Sequence, residues 1–334
     1  MAAKYMFKHQ QSAHCESGVA SSLLSHNGLS LSEPMAFGLA SALAFAYIPF
    51  IKLSGMPLIA YRMPPRSIIK GVQKQLGLQM HYQTFNNPQQ GMDELDLQLD
   101  QGRIVGLQTS VFWLPYFPET MRFHFNAHNL MVYGRDGNDY LISDPVFEDV
   151  VRCDVTSLKK ARFAKGALAA KGMMYYPTQV PQSFDLAKAS ISAIKKNHRT
   201  MTGAPLPVIG LRGIRHMGKC IIKLEKNASK REKYLPHYLS HVVRMQEEIG
   251  TGGAGFRFIY ASFLKETAKA LNNELLAEAG EMMAEAGDEW RQFALVSSKM
   301  CKGRKEMNGE ELAALLNVCA DQEAKAWQLL KQYR

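Results

Sequence analysis

A chain of 334 residues, 46% of them hydrophobic, is long enough to bury a core and to divide into about two domains. Its formal net charge of +10 points to acidic partners rather than to an acidic, solvating chain. The five cysteines are odd in number and lack CxxC or other metal-ligand spacing, which argues against a disulfide framework and against zinc and fits reduced thiols in the cytoplasm.

In chain order, residues 1–13 carry polar groups throughout and no apolar run, so no signal peptide is expected. A helix follows over Cys15–Ser25, with Val19, Leu23 and Leu24 on one stripe and Asn27-Gly28 as its stop. From Pro34 to Ile51 no residue is charged. Pro49 and the small residues make this stretch a poor membrane span, and we expect a buried helix over 35–48. The alternative is an acyl groove lined by Phe37, Leu43, Phe45 and Tyr47. Strands are predicted near Gly55–Tyr61 and Ile104–Thr109, and helices over Ser67–Leu76 and Asp93–Gln101, capped by Gly77 and Gly102. Leu130–Tyr133 and Tyr140–Ile142 read as the strands of a hairpin turning over Arg135–Asp139. Pro177–Pro181 reads as a linker, and the remainder as helical, with apolar periodicity over Phe256–Ala286 and Gly309–Leu330.

The charge is concentrated. Residues 151–235 hold 18 Lys and Arg against 4 Asp and Glu, a net +14, whereas the stretches on either side are each at −2. Arg212, Arg215 and Lys219 are the sharpest candidates for docking an acidic partner; a solvated helix face is the plainer alternative. The block has few aromatics to stack on bases, so a nucleic-acid partner is not expected. Gly250-Thr251-Gly252-Gly253-Ala254-Gly255 is either a backbone cradle for an anion, with Arg257 alongside as a substrate-pocket residue, or a tight turn that lets a helix pack closely. It lacks the Lys-Ser/Thr of an ATP-binding loop.

The chemistry is best read at Cys15. A thiol titrates near 8.5 in the open, and far lower beside an imidazolium at a helix N-terminus, where the dipole favours the anion. The hairpin brings His128, just before its first strand, beside Asp144, just after its second. Asp144 can then fix the imidazole tautomer while the other ring nitrogen faces the thiol. Cys153, Cys220, Cys301 and Cys319 have no such company.

The stretch from His14-Cys15 through Asn27–Glu33 to Phe37-Gly38-Leu39-Ala40 resembles the N-terminal domain of the BtrH family, whose namesake is the butirosin biosynthesis acyltransferase. His128…Tyr133-Gly134…Asp144-Pro145 looks like the second half of that domain, itself similar to the papain-like leader peptidases of bacteriocin exporters. Glu248–Arg257 with Tyr260–Leu264 resembles the helical domain often attached to it. The resemblance implies an α+β chain: a papain-like catalytic domain over 1–176, then a mainly helical domain over 182–334.

It also implies acyl transfer from an acidic acyl carrier protein to an amine or hydroxyl of a small-molecule acceptor. The phosphopantetheine arm would enter as substrate, with no bound cofactor. Cys15 would accept the acyl group, His128 would act as base, and Asp144 would orient it. Papain-like enzymes also take an upstream glutamine for the oxyanion, which here would be Gln10 or Gln11. Arg62 falls where the family tends to carry an arginine. A cysteine peptidase, amidase or thioesterase would use the same residues, and a non-catalytic carrier-binding scaffold would leave Cys15 structural.

Overall fold

The computed structural model describes residues 7–53 and 55–334. Residues 1–6, part of the stretch read as lacking a signal peptide, lie outside the described residues. The chain runs through α1 (Cys15–His26), α2 (Glu33–Leu39), β1 (Leu43–Leu53), β2 (Met56–Arg62), α3 (Ser67–Leu76), β3 (Gln79–Gln83), α4 (Pro88–Asp100) and β4 (Val105–Thr109). It continues through β5 (His128–Asp136), β6 (Asp139–Ser143), β7 (Val151–Asp154), α5 (Val155–Arg162) and β8 (Met174–Gln179). The helices α6 (Leu186–Thr202), α7 (Gly210–Lys226), α8 (Ala228–Arg231), α9 (Tyr234–Glu247), α10 (Arg257–Leu271), α11 (Glu274–Cys301) and α12 (Gly309–Leu330) complete it.

These elements form two compact units. One runs to Ala36 and resumes over Ile68–Phe184; the other takes Phe37–Ser67 and Asp185–Arg334. The first is built on a six-stranded antiparallel sheet of order β3-β8-β4-β5-β6-β7. Alternating apolar positions of β4, β5 and β6 (Val105, Leu107, Leu130, Val132, Tyr140, Ile142) join Met92, Leu95 and Leu99 of α4 and Leu158 of α5 in one core. The hairpin expected from sequence is β5–β6, turned at Gly137-Asn138, where Gly137 takes φ +59°. Helix α1 lies against β5 and β8 and is buried from Cys15 to Leu24. The apolar stripe seen in sequence is therefore only part of its covered surface, and its other faces are covered because they carry Gly18, Ala20, Ser21 and Ser22. This unit is an α+β arrangement: a cysteine-headed helix against an antiparallel sheet.

The second unit is mainly helical, but it also holds the β1–β2 hairpin, which the sequence reading grouped within 1–176. The expected helix over 35–48 is thereby corrected. Helix α2 ends at Leu39, Ser41 adopts φ +57°, and the alternation Leu43-Ala44-Phe45-Ala46-Tyr47 runs as a strand. Phe45 packs edge-on against Tyr61 and near Trp290, and Tyr47 against Tyr238. The carbonyl of Leu43 accepts from Asn197 Nδ2 at 2.6 Å, and the amide of Tyr47 donates to the Val208 carbonyl at 2.9 Å. Phe37, Leu43, Phe45 and Tyr47 are thus core, not the walls of an acyl groove. The linker expected at Pro177–Pro181 begins inside β8, where Pro177 pairs with Met80 at the margin of the sheet. Among the described residues no helix is long and apolar enough to cross a membrane.

Candidate active site

Cys15 is the first residue of α1, so its sulfur stands where the free N–H groups and the helix dipole favour negative charge. His128 opens β5, and the Cys15 thiol is among the groups that act on its imidazole. On its other side, His128 Nε2 lies 2.6 Å from Asp144 Oδ2. Nε2 therefore carries the proton given to the carboxylate, and Nδ1 is the nitrogen left for the thiol. Asp144 follows β6 directly and is fully buried. Its Oδ2 also accepts from Tyr116 Oη at 2.8 Å, and its Oδ1 from the Val146 amide at 3.3 Å.

The electrostatics follow from this packing. Burial alone would discharge the imidazole, but the Asp144 carboxylate, with the Cys15 thiol, overrides it and His128 is pushed up to about 10. The His128 imidazolium at neutral pH thus stands beside a thiol at a helix N-terminus, surroundings typical of nucleophilic cysteines. The Phe117 ring stands edge-on to His128, centroids 5.3 Å apart and planes at 87°, which shields the pair from water. Burial and Asp144 together push the Tyr116 hydroxyl well up, so it remains a hydrogen-bond donor to the carboxylate.

Two contacts hold the segment before Cys15 against the one around Asp144. Ser12 N donates to the Pro145 carbonyl at 2.6 Å. The His9 ring bridges Ser143 and Phe147: Nε2 donates to the Phe147 carbonyl at 3.0 Å, and Nδ1 meets Ser143 Oγ at 2.8 Å. Gly18 permits this approach, because a Cβ there would stand 2.6 Å from Pro145 Cβ and 2.7 Å from Ser12 Cβ.

Of the residues singled out in the sequence, Cys15, His128 and Asp144 come together. Gln10 and Gln11 are exposed. Gln10 lines a cavity of about 610 Å³ with Lys8, Ser22, Ser25 and His26. Arg62 ends β2 in the second unit, where its guanidinium donates to the Met63 carbonyl. Arg257 as a substrate-pocket residue is corrected. It is fully buried, with Nε 2.9 Å from Glu323 Oε1, Nη1 2.7 Å from the Gly255 carbonyl and its guanidinium over the Trp290 ring. Trp290 Nε1 donates to the same carboxylate at 2.7 Å. A buried charge so saturated is structural. The glycine-rich turn beside it binds an anion of its own: Glu247 accepts the Ala254 amide on both oxygens at 3.2 Å, and Thr251 Oγ1 accepts from Gly253 N at 3.1 Å. On α7, Arg212 and Lys219 are exposed, whereas Arg215 is paired with Asp321 at 2.7 Å.

Sequence reasoning missed Tyr116, Phe117 and His9. The aromatic run Trp113-Leu114-Pro115-Tyr116-Phe117, shortly before His128, was the available signal for the first two. His9 left none.

Comparison with known proteins gives two family matches. Residues 14–145 match Butirosin biosynthesis protein H, N-terminal, and residues 156–330 match Domain of unknown function (DUF4872). No curated protein sequence matches the chain. Among solved structures, one described as a C39-like peptidase from Bacillus anthracis is similar at 14% identity and a TM-score of 0.37, covering 53% of this chain and 96% of that one.

Proposed function

The chain belongs to the DUF4872 family and carries a butirosin biosynthesis protein H N-terminal domain, and from that premise we propose that it is a cysteine acyltransferase fed by an acyl carrier protein thioester. The observation that carries the reading is the buried relay from Asp144 through His128 to Cys15 at the head of α1.

In the first half-reaction the Cys15 thiolate attacks the thioester carbonyl. The new C–S bond forms as the bond to the phosphopantetheine sulfur breaks, and the departing thiolate takes a proton from the His128 imidazolium. The backbone N–H of Cys15 is placed to donate to the transient oxyanion, and Gln10 remains a proposed second donor. In the second half-reaction neutral His128 takes a proton from the amine or hydroxyl of the acceptor as it attacks the acyl carbon. Cys15 leaves as thiolate and the pair is restored. Because a thioester is already activated, the task of the site is to admit the acceptor and exclude water, which the burial of His128 and Asp144 favours. Arg212 and Lys219 are the proposed contacts for the acidic carrier, with Arg215 tied to Asp321 beside them.

Intact-mass spectrometry of the protein mixed with acylated carrier proteins tests this reading. The expected result is a mass increase equal to the acyl group, absent from Cys15→Ala. Absence of an adduct from any acylated carrier, with Cys15 inert to thiol reagents at neutral pH, would overturn it. Rapid loss of the adduct as free acid would reassign the protein as a thioesterase.

A further inference from the structure

The start of α1 is weakly capped by its own sequence. Its N-cap residue is His14, not one of the Ser, Thr, Asp or Asn residues that favour this position. Imidazole Nδ1 accepts the Ser17 amide at a long 3.3 Å. The deficit is made up by a carboxylate from the next helix. Glu33, the first residue of α2, accepts the Ala13 amide on Oε2 at 2.8 Å, and on Oε1 the His14 amide at 2.8 Å and the Ser17 hydroxyl at 3.0 Å. Two of these donors are the backbone amides of the residues immediately before the nucleophile. The third lies two positions after it.

We propose that Glu33 is a positioning residue of the active site, whose carboxylate fixes the turn that presents Cys15 to His128. The inference rests on the reading of Cys15 as the nucleophile. Three of the four participants are buried, His14 at 4% exposure, Glu33 at 9% and Ser17 at 0%, and only Ala13 is exposed, its amide bond to Glu33 part-buried. A carboxylate taken out of water needs such donors to be stable there, and burial pushes the Glu33 carboxyl up while the bonds from Ala13, His14 and Ser17 pull it back. Each oxygen is thereby committed to the geometry of residues 13–17. Electrostatically the same carboxylate is unhelpful, because an anion at the head of α1 competes with a thiolate for the helix dipole. Position and charge therefore predict opposite consequences of its removal, and one experiment separates them.

Alkylation of Cys15 by iodoacetamide is followed across pH by mass spectrometry of the Cys15 peptide, in wild type, Glu33→Ala, Glu33→Gln and Ser17→Ala, with thermal unfolding of each. If Glu33 positions the nucleophile, Glu33→Ala slows alkylation at neutral pH by about tenfold or more, and the rate–pH profile moves alkaline. Glu33→Gln recovers part of the rate, since its amide oxygen can still accept from His14 and Ser17. Ser17→Ala shows a smaller loss and keeps the test decisive should Glu33→Ala not fold. Alkylation in the variants that is unchanged or faster, whatever the loss in Tm, would overturn the proposal. Wild-type Cys15 reacting no faster than the other four thiols would instead remove the nucleophile itself, and both readings would fall.

Discussion

At His128 two effects of opposite sign meet, and their balance fixes the protonation state of the site. Burial disfavours the cation, whereas the Asp144 carboxylate at 2.6 Å favours it, and the outcome is a value pushed up to about 10. Asp144→Asn keeps the shape and removes the charge. The His128 midpoint, read from the imidazole signals by NMR titration, is expected to fall from about 10 to near or below the ordinary 6.5. Acylation of Cys15 should fall by about 10²–10⁴-fold. A midpoint that stays near 10 would mean that the thiolate, not Asp144, holds the proton. The same balance affects stability. The folded value is raised above the unfolded one, so the folded chain keeps a proton that the unfolded chain releases. This contribution is complete below about 6.5 and is lost as pH rises through about 10. In Asp144→Asn that alkaline loss should shrink, as denaturant unfolding at pH 7 and pH 10 would show.

At the scale of the element, α1 explains why the site closes. A helix buried along its whole first two turns must meet its neighbours through small residues, and Gly18 is where Ser12 and Pro145 approach closest. Gly18→Ala forces a Cβ to within 2.6 Å of Pro145 Cβ, so the segment carrying Asp144 must shift. We expect a loss of about 1–3 kcal/mol in denaturant unfolding, with slower acylation of Cys15; a variant as stable and as active as wild type would show that Pro145 gives way freely. Much of this unit was legible in the sequence because its signals are local. The alternating runs flanking Gly137-Asn138 specify the hairpin, and the hairpin alone places His128 near Asp144. Ser67–Leu76 was also readable, with Gly77 at φ +71° closing it. What could not be read depends on partners far along the chain. Leu43–Tyr47 is apolar enough for a buried helix, and only Asn197, Val208, Tyr61 and Trp290 decide that it is a strand. Arg257 looked available until Glu323, at a separation of 66 residues, neutralised it. Tyr116 lies in an aromatic run and Glu33 in the stretch that carries the family resemblance, but neither signal says which group each side chain meets; those roles exist only once the chain has folded.

At the scale of the whole molecule, the charge pattern bears on encounter rather than on chemistry. The net +10 arises from residues 151–235, but part of that block is already neutralised within the fold: Arg215 pairs with Asp321 and Lys226 with Glu310. Exposed pairs of this kind contribute little to stability, about 0–1 kcal/mol each, so their consequence is to subtract charge from α7 rather than to hold it in place. Arg212 and Lys219, seven positions apart and so on one face of α7, keep theirs exposed. If an acidic carrier docks here, Arg212→Glu with Lys219→Glu should slow its association by roughly tenfold at low salt and leave acylation at saturating carrier unchanged. The defect should also shrink as salt is raised, because screening removes the same attraction from the wild type. Stopped-flow association at low and moderate ionic strength separates this from a folding defect, which salt would not mask. Equal rates for variant and wild type at every salt concentration would leave the charge of α7 as a solvated face.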